Sequence, residues 1–256
     1  MKSFRTIVVG DIHGTGLELS KMFKKYKMSD NDSIYFLGDL FDRGMHSFLV
    51  WDTINKYNVK CLLGNHEIKM IEFLEGKRDS LPKHYYVALN DLVKNGVDLD
   101  DLYQFLINLK SIYVLESHMQ KYVLAHAGVN IKNPTKKDLS MNVYAGFPQD
   151  KSMPIVKKKD INNYWWDNYD GDEIVVYGHL CSEDSKVRIR KNKKGIVNSI
   201  GIDTSAVHGG CLTAYSINEG KFYKYKTKDH YSKVKSLNKV KLSTKVVKWI
   251  KKRKKQ

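Results

Sequence analysis

At 256 residues with 42% apolar side chains, the chain is long enough for one large α/β domain with a sizeable core, and three scattered cysteines (Cys61, Cys181, Cys211) exclude both a disulfide framework and a Cys-x-x-Cys zinc site. No apolar run approaches the roughly 20 residues of a membrane span or the core of a signal peptide, so a cytoplasmic protein without membrane contact is expected. The formal charge of +16 is concentrated: residues 221–256 hold 15 of the 44 Lys and Arg against one acid, Asp229, which leaves a net +2 on everything before them.

Thr6-Ile7-Val8-Val9 predicts a buried strand that runs into Gly10-Asp11-Ile12-His13-Gly14. Leu17, Leu19, Met22, Phe23 and Tyr26 follow at roughly helical spacing, and Ile34-Tyr35-Phe36-Leu37 completes a βαβ unit. Its right-handed crossover brings Asp11 and Asp39 to the same sheet edge. The second strand empties into Gly38-Asp39-Leu40-Phe41-Asp42-Arg43-Gly44, two carboxylates and a guanidinium between glycines. A helix over 46–58 and a strand over 59–63 lead to Gly64-Asn65-His66-Glu67. Residues 68–116 predict a helical insertion bordering a cleft. Tyr122-Val123-Leu124-Ala125 then ends in His126-Ala127-Gly128, and Ile174-Val175-Val176-Tyr177 ends in Gly178-His179. Between them, 130–172 is irregular, and its Tyr164-Trp165-Trp166 cluster either lines the cleft or packs. Short segments at 187–190, 196–203, 211–217 and 221–226 predict a second, largely antiparallel sheet.

Each of these polar residues has a structural explanation when taken singly, as a cap, a turn former or a hydrogen-bonded histidine. Together, Asp11, His13, Asp39, Asn65, His126 and His179 form an oxygen and imidazole set in which every member follows a β-run. Such a set suits Mn2+, Fe or Zn. Six ligands exceed the need of one ion in an open catalytic site and match two ions sharing a carboxylate.

In this order, the motifs resemble the signature of the phosphoprotein phosphatase family of calcineurin-like metallophosphoesterases, in particular its bacterial and phage serine/threonine protein phosphatases. Ile202-Asp203-Thr204-Ser205-Ala206 is similar to the family's closing segment. The resemblance, over residues 7 to 217, implies an α/β fold of two mixed β-sheets packed as a sandwich and flanked by helices. The catalytic domain would cover 1–226, with the helical cap at 68–116, and a basic C-terminal tail would follow at 227–256. Asp11 and His13 would hold one divalent ion, Asp39 would bridge, and Asn65, His126 and His179 would hold the second; Mn2+ is the foremost candidate, with Fe or Zn as alternatives. His66 would be the general acid, Asp42 would orient it, and Arg43 with the amide of Asn65 would bind the phosphate.

The implied reaction is hydrolysis of phosphomonoesters by direct attack of a metal-bridging hydroxide, with phosphoserine and phosphothreonine in proteins as leading substrates. Asp42 and Glu67 favour that choice. A nucleotide hydrolase of the diadenosine tetraphosphatase type, or one acting on RNA ends, is the alternative; a catalytically silent nucleic-acid-binding module is a more distant one. The arginine that the family usually carries beside the tryptophan of segment 164–169 has no counterpart here, which leaves Arg188, Arg190 or the lysine run at 157–159 as substitutes. Leu180-Cys181 replaces the common Thr-Pro after Gly178-His179, and Ser205 stands where a glycine is usual. The tail offers nucleic acid or an acidic partner a contact surface, or is a solvated extension. Of the remaining histidines, His208 is the best site candidate; His46, His84, His118 and His230 read as structural.

Overall fold

A computed structural model describes residues 4–144, 164–182 and 184–254. The first strand explains the layering. In β1 (Thr6–Val9), Ile7 and Val9 face the helices while Val8 faces the opposite sheet, so both sides are buried and the strand reads as a continuous apolar run. It continues through α1 (Gly16–Lys25), β2 (Ser33–Phe36), α2 (Ser47–Lys56) and β3 (Lys60–Cys61), two consecutive βαβ units with parallel strands. The third strand is shorter than the predicted 59–63 because the ladder ends at Cys61, although Leu62 N–H still donates to the Phe36 carbonyl at 2.9 Å.

Helices α3 (Asn65–Leu74), α4 (Lys83–Lys94) and α5 (Leu99–Ile107) form the insertion. It ends earlier than the expected residue 116. Ile112–Ser117 is strand β4, drawn into an antiparallel hairpin with β5 (Gln120–Ala125). After α6 (Leu139–Tyr144) and the single turn α7 (Trp165–Asn168) come β6 (Ile174–Tyr177), β7 (Arg188–Lys191) and β8 (Val197–Gly201). The lysine run at 157–159 lies outside the described residues.

The late strands do not make one antiparallel sheet. β9 (Cys211–Ser216) and β10 (Lys221–Lys226) return to β1, giving sheet order β10-β9-β1-β2-β3, whereas β7 and β8 join the other sheet in the order β4-β5-β6-β8-β7. Both sheets contain three adjacent parallel strands; in the second they are flanked by an antiparallel strand on either side, whereas in the first they run out to the β3 edge and β9 and β10 lie antiparallel on the other side. Val8, Leu37, Leu62, Leu124, Val176 and Ile200 pack between the sheets. Trp165 and Trp166 pack on the outer face of the second sheet, and Trp165 Nε1 donates to the Ala127 carbonyl at 3.1 Å.

The segment expected as a basic tail is in large part folded. α8 (His230–Ser236) buries Val234, and α9 (Thr244–Arg253) buries Val246 and Ile250 against the helical core. Each such side chain removed from water contributes about 1.5–3 kcal/mol. That is enough to hold a lysine-rich helix whose charges point to solvent.

Candidate active site

All three parallel strands of each sheet end at one cleft. Asp11, Asp39 and Asn65 follow β1, β2 and β3; His126, His179 and Asp203 follow β5, β6 and β8. Carboxyl ends of parallel strands are where α/β sheets bind ligands. The turns there are strained. His13, Asp39, Arg43 and His179 have φ of 47°, 50°, 67° and 65°, a region that side chains other than glycine rarely adopt. Two glycines permit close approach: a Cβ on Gly178 would overlap Asp11 Oδ1, and one on Gly64 would overlap Asp39 Oδ1.

Backbone donors fix the carboxylates. Both Asp11 oxygens accept from His179 N–H at 3.1 Å, which ties the two sheets together across the cleft. Asp39 Oδ1 accepts from His66 N–H at 3.1 Å, inside the first turn of α3, where the helix dipole favours negative charge. Glu67, buried one residue on, accepts from Asp39, Leu40 and Gly64 N–H at 2.8, 2.8 and 3.0 Å. It therefore sews the β2 and β3 turns to one another. Burial beside Asp39 pushes its carboxyl up to about 8, a push that cations at Asp39 would relieve.

Two ligand groups share Asp39. Asp11, His13 and Asp39 present atoms within 4.8 Å of one another, and so do Asp39, His126 and His179. Burial, then the Arg43 cation, lowers His13 to about 4; burial, then His126, lowers His179 to about 3; burial lowers His126 as well. All three imidazoles are therefore neutral and keep a lone pair at neutral pH. His126 Nδ1 donates to the Leu37 carbonyl at 2.9 Å, which leaves Nε2 unprotonated, 3.2 Å from Asn65 Oδ1 and 3.4 Å from Asp39 Oδ1. Converging lone pairs of that kind fit a cation. Asp11 fits one too: burial and the neighbouring Asp203 and Asp39 charges raise its pKa, a repulsion that a divalent ion removes.

Beside these groups, Asp42 is buried between imidazoles. It accepts from His13 Nδ1 at 3.0 Å and from His66 Nδ1 at 2.5 Å, so it orients two histidines, where the sequence suggested one. Against the opposing effect of burial, Asp39 and Asp42 raise the pKa of His66. Arg43 Nη1 and Nη2 lie 3.0 and 3.1 Å from His13 Nε2 and His66 Nε2. Its Nε is buried without an acceptor.

All the residues expected at the site from the sequence thus meet at the cleft. Three others were missed. In the sequence Glu67 bears only on the choice of substrate, not on the shape of the site. His84 Nδ1 approaches Asp42 Oδ2 to 2.8 Å, off the line a hydrogen bond needs, and Tyr85 Oη lies 3.0 Å from His66 Nδ1. Both come from α4, where helical periodicity makes them look like core. Neither substitute arginine reaches a ligand: Arg188 lies over Trp166 at 4.8 Å and donates to the Leu180 carbonyl, and Arg190 pairs with Asp167. Ser205 has φ 63°, which explains why a glycine is usual there; its Oγ donates to the Ser182 carbonyl at 2.8 Å.

Two mixed sheets with paired oxygen and imidazole ligand groups at their common edge define a metallophosphoesterase. The chain belongs to the calcineurin-like phosphoesterase family, whose profile matches residues 4–196; these enzymes use divalent metal ions. The asymmetrical bis(5'-nucleosyl)-tetraphosphatase PrpE of Oceanobacillus iheyensis is 28% identical over 240 residues, covering 84% of this chain and 89% of that one. Its counterpart in Bacillus cereus strain Q1 is 26% identical over 227 residues, covering 80% and 87%. Among solved structures, a candidate diadenosine tetraphosphatase shares the fold with TM-score 0.67 at 23% identity, over 88% of this chain and 95% of that one. A Saccharomyces cerevisiae protein serine/threonine phosphatase does so with TM-score 0.54 at 13% identity, over 89% and 81%. No helix of the described residues is long and apolar enough to cross a membrane.

Proposed function

We propose that the protein is a two-metal hydrolase of nucleoside polyphosphates that splits dinucleoside tetraphosphates unequally, into a nucleoside monophosphate and a nucleoside triphosphate. The observation that carries the chemistry is Asp39, one buried carboxylate common to two ligand groups. The substrate class is supported by relatives that align over four fifths or more of both chains. This reverses the order expected from the sequence, where phosphoserine and phosphothreonine came first; the likeness to the yeast protein phosphatase is one of fold.

Asp11, His13 and Asp39 would hold one ion, and Asp39, Asn65, His126 and His179 the other, with Mn2+ favoured by the mixed ligands and Fe or Zn as alternatives. Ions bound there supply activation of water and neutralisation of phosphoryl charge. Arg43 exchanges its two imidazole partners for phosphoryl oxygens, which its planar fork fits two at a time, and the Asn65 amide donates to the same group. Departure of Arg43 leaves His66 Nε2 free to carry a proton. As the P–O bond breaks, His66 gives that proton to the leaving oxygen, while water adds to phosphorus and releases one of its own protons to solvent, from which His66 is reprotonated. Against the opposing effect of burial, Asp39 and Asp42 favour the protonated form of His66 that this step needs.

Initial rates with Mn2+ on diadenosine tetraphosphate, a phosphoserine peptide and an aryl phosphate test the proposal. A kcat/KM for the dinucleotide at least about tenfold above that for the peptide, with AMP and ATP as products, is expected. Preference for the peptide, or formation of ADP alone, would overturn the substrate class. Failure to hydrolyse any of the three with Mn2+, Mg2+, Fe2+ or Zn2+ would overturn the enzymatic reading.

A further inference from the structure

The first turn of α8 is anchored far more firmly than a solvated extension requires. Asp229 forms an isolated antiparallel backbone β-bridge with His208, and both His230 and Tyr231 N–H donate to the Val207 carbonyl at 3.0 and 3.1 Å. His230 Nε2 lies 3.0 Å from Glu18 Oε1, both side chains buried. At the other end, Lys83 Nζ donates to the carbonyls of Lys235 and Leu237 at 2.5 and 2.8 Å. These contacts fix Tyr231 beside the cleft. Arg43 Cζ lies 5.6 Å from its ring centroid and Lys235 Nζ 4.3 Å, while the rings of His208 and His84 meet it edge-on at 5.2 and 5.7 Å.

We propose that α8 completes the phosphate-binding site: Lys235 takes a second phosphate of a phosphate chain, and Tyr231 is the positioning residue that keeps Lys235 and Arg43 together. The assignment rests on the polyphosphate reading above and deepens it. Two cations on one ring are separated by no more than about 10 Å, a span set by the two ring distances. Arg43 is mostly buried and Lys235 exposed, so a chain bound at its reacting phosphate by Arg43 runs outward past Lys235. A monophosphoryl group gains little from the outer cation; a group with two or more phosphates gains a charge-assisted contact. Both cations also act on His208, whose pKa is lowered by burial and then by Arg43, with Asp229 opposing and Lys235 lowering it to a lesser degree.

Equilibrium binding of methylphosphonate and methylenediphosphonate to the Mn2+-loaded full chain, at matched free Mn2+, tests this without turnover. The wild type is expected to prefer the diphosphonate by about tenfold or more, and Lys235→Gln to cut that preference by about fivefold. Lys235→Arg should restore it. Lys233→Gln, the same charge change on the same helix, should leave it as in the wild type. Tyr231→Ala should weaken both ligands, because Arg43 loses its brace. No preference in the wild type, or one that Lys235→Gln leaves unchanged, overturns the proposal. Rates on diadenosine tetraphosphate, measured in parallel, show separately whether the substrate reading stands.

Discussion

The floor of the cleft hangs from parallel strand ends, whereas Tyr231, His84 and Lys235 on its wall come from helices held by side-chain contacts. Floor residues are placed by the backbone itself: four sit at positive φ, and Glu67 binds three of the amides that shape the turns. Wall residues are placed through intermediaries, such as Glu18 under His230 and Lys83 under the end of α8. A change on the floor should therefore remove the chemistry. One on the wall should retune which phosphate compounds are accepted.

The largest loss should follow Asp39→Asn, which weakens both ion sites at once. Several kcal/mol of transition-state stabilisation are at stake, so kcat/KM should fall roughly 10⁴-fold. A mild effect there would break the contrast. His66→Ala should retain the ions, checked by metal analysis, and lose about 10²–10³-fold on a phosphoserine peptide. The loss on a dinucleoside tetraphosphate should be smaller, because a phosphate leaving group needs a proton less than an alkoxide does. Glu67→Gln turns an amide group toward three backbone donors and should cost ~1–3 kcal/mol in urea unfolding.

Tyr231→Ala should be milder, about a tenfold rise in KM for the tetraphosphate with kcat little changed. The pH profile sharpens the same contrast. In the proposed role of general acid, His66 works only while protonated, and against the effect of burial Asp39 and Asp42 hold its pKa above the ordinary value. In Asp42→Asn that support is reduced, so the pKa falls and the basic limb of kcat should move to lower pH; a limb that stays in place would remove His66 from the acid role.

The floor was legible in the sequence because β-runs empty into a ligand, at Asp11, Asp39, Asn65 and His179 directly after a glycine, and a right-handed crossover dictates that such ends meet. Asp203 also follows a β-run, β8, but Ile202 separates it from Gly201, so it reads only as part of the closing segment. The wall was not legible. Val234, Val246 and Ile250 are spaced widely among lysines, and a helix that buries so few side chains has the composition of a solvated extension. His84 and Tyr85 lie on an amphipathic helix whose period shows which face is buried but not that the buried face reaches Asp42. The division of late strands between two sheets was hidden too, since alternation reveals a strand but not its partner.

The proposed chemistry depends on Asp39 joining two ion sites. Titrating Mn2+ into metal-stripped full chain, with binding and hydrolysis followed together, tests it most directly. Two equivalents should bind, with most activity appearing only with the second, and Asp39→Asn should lose that second equivalent. Full activity at one equivalent, or two retained by Asp39→Asn, would contradict it.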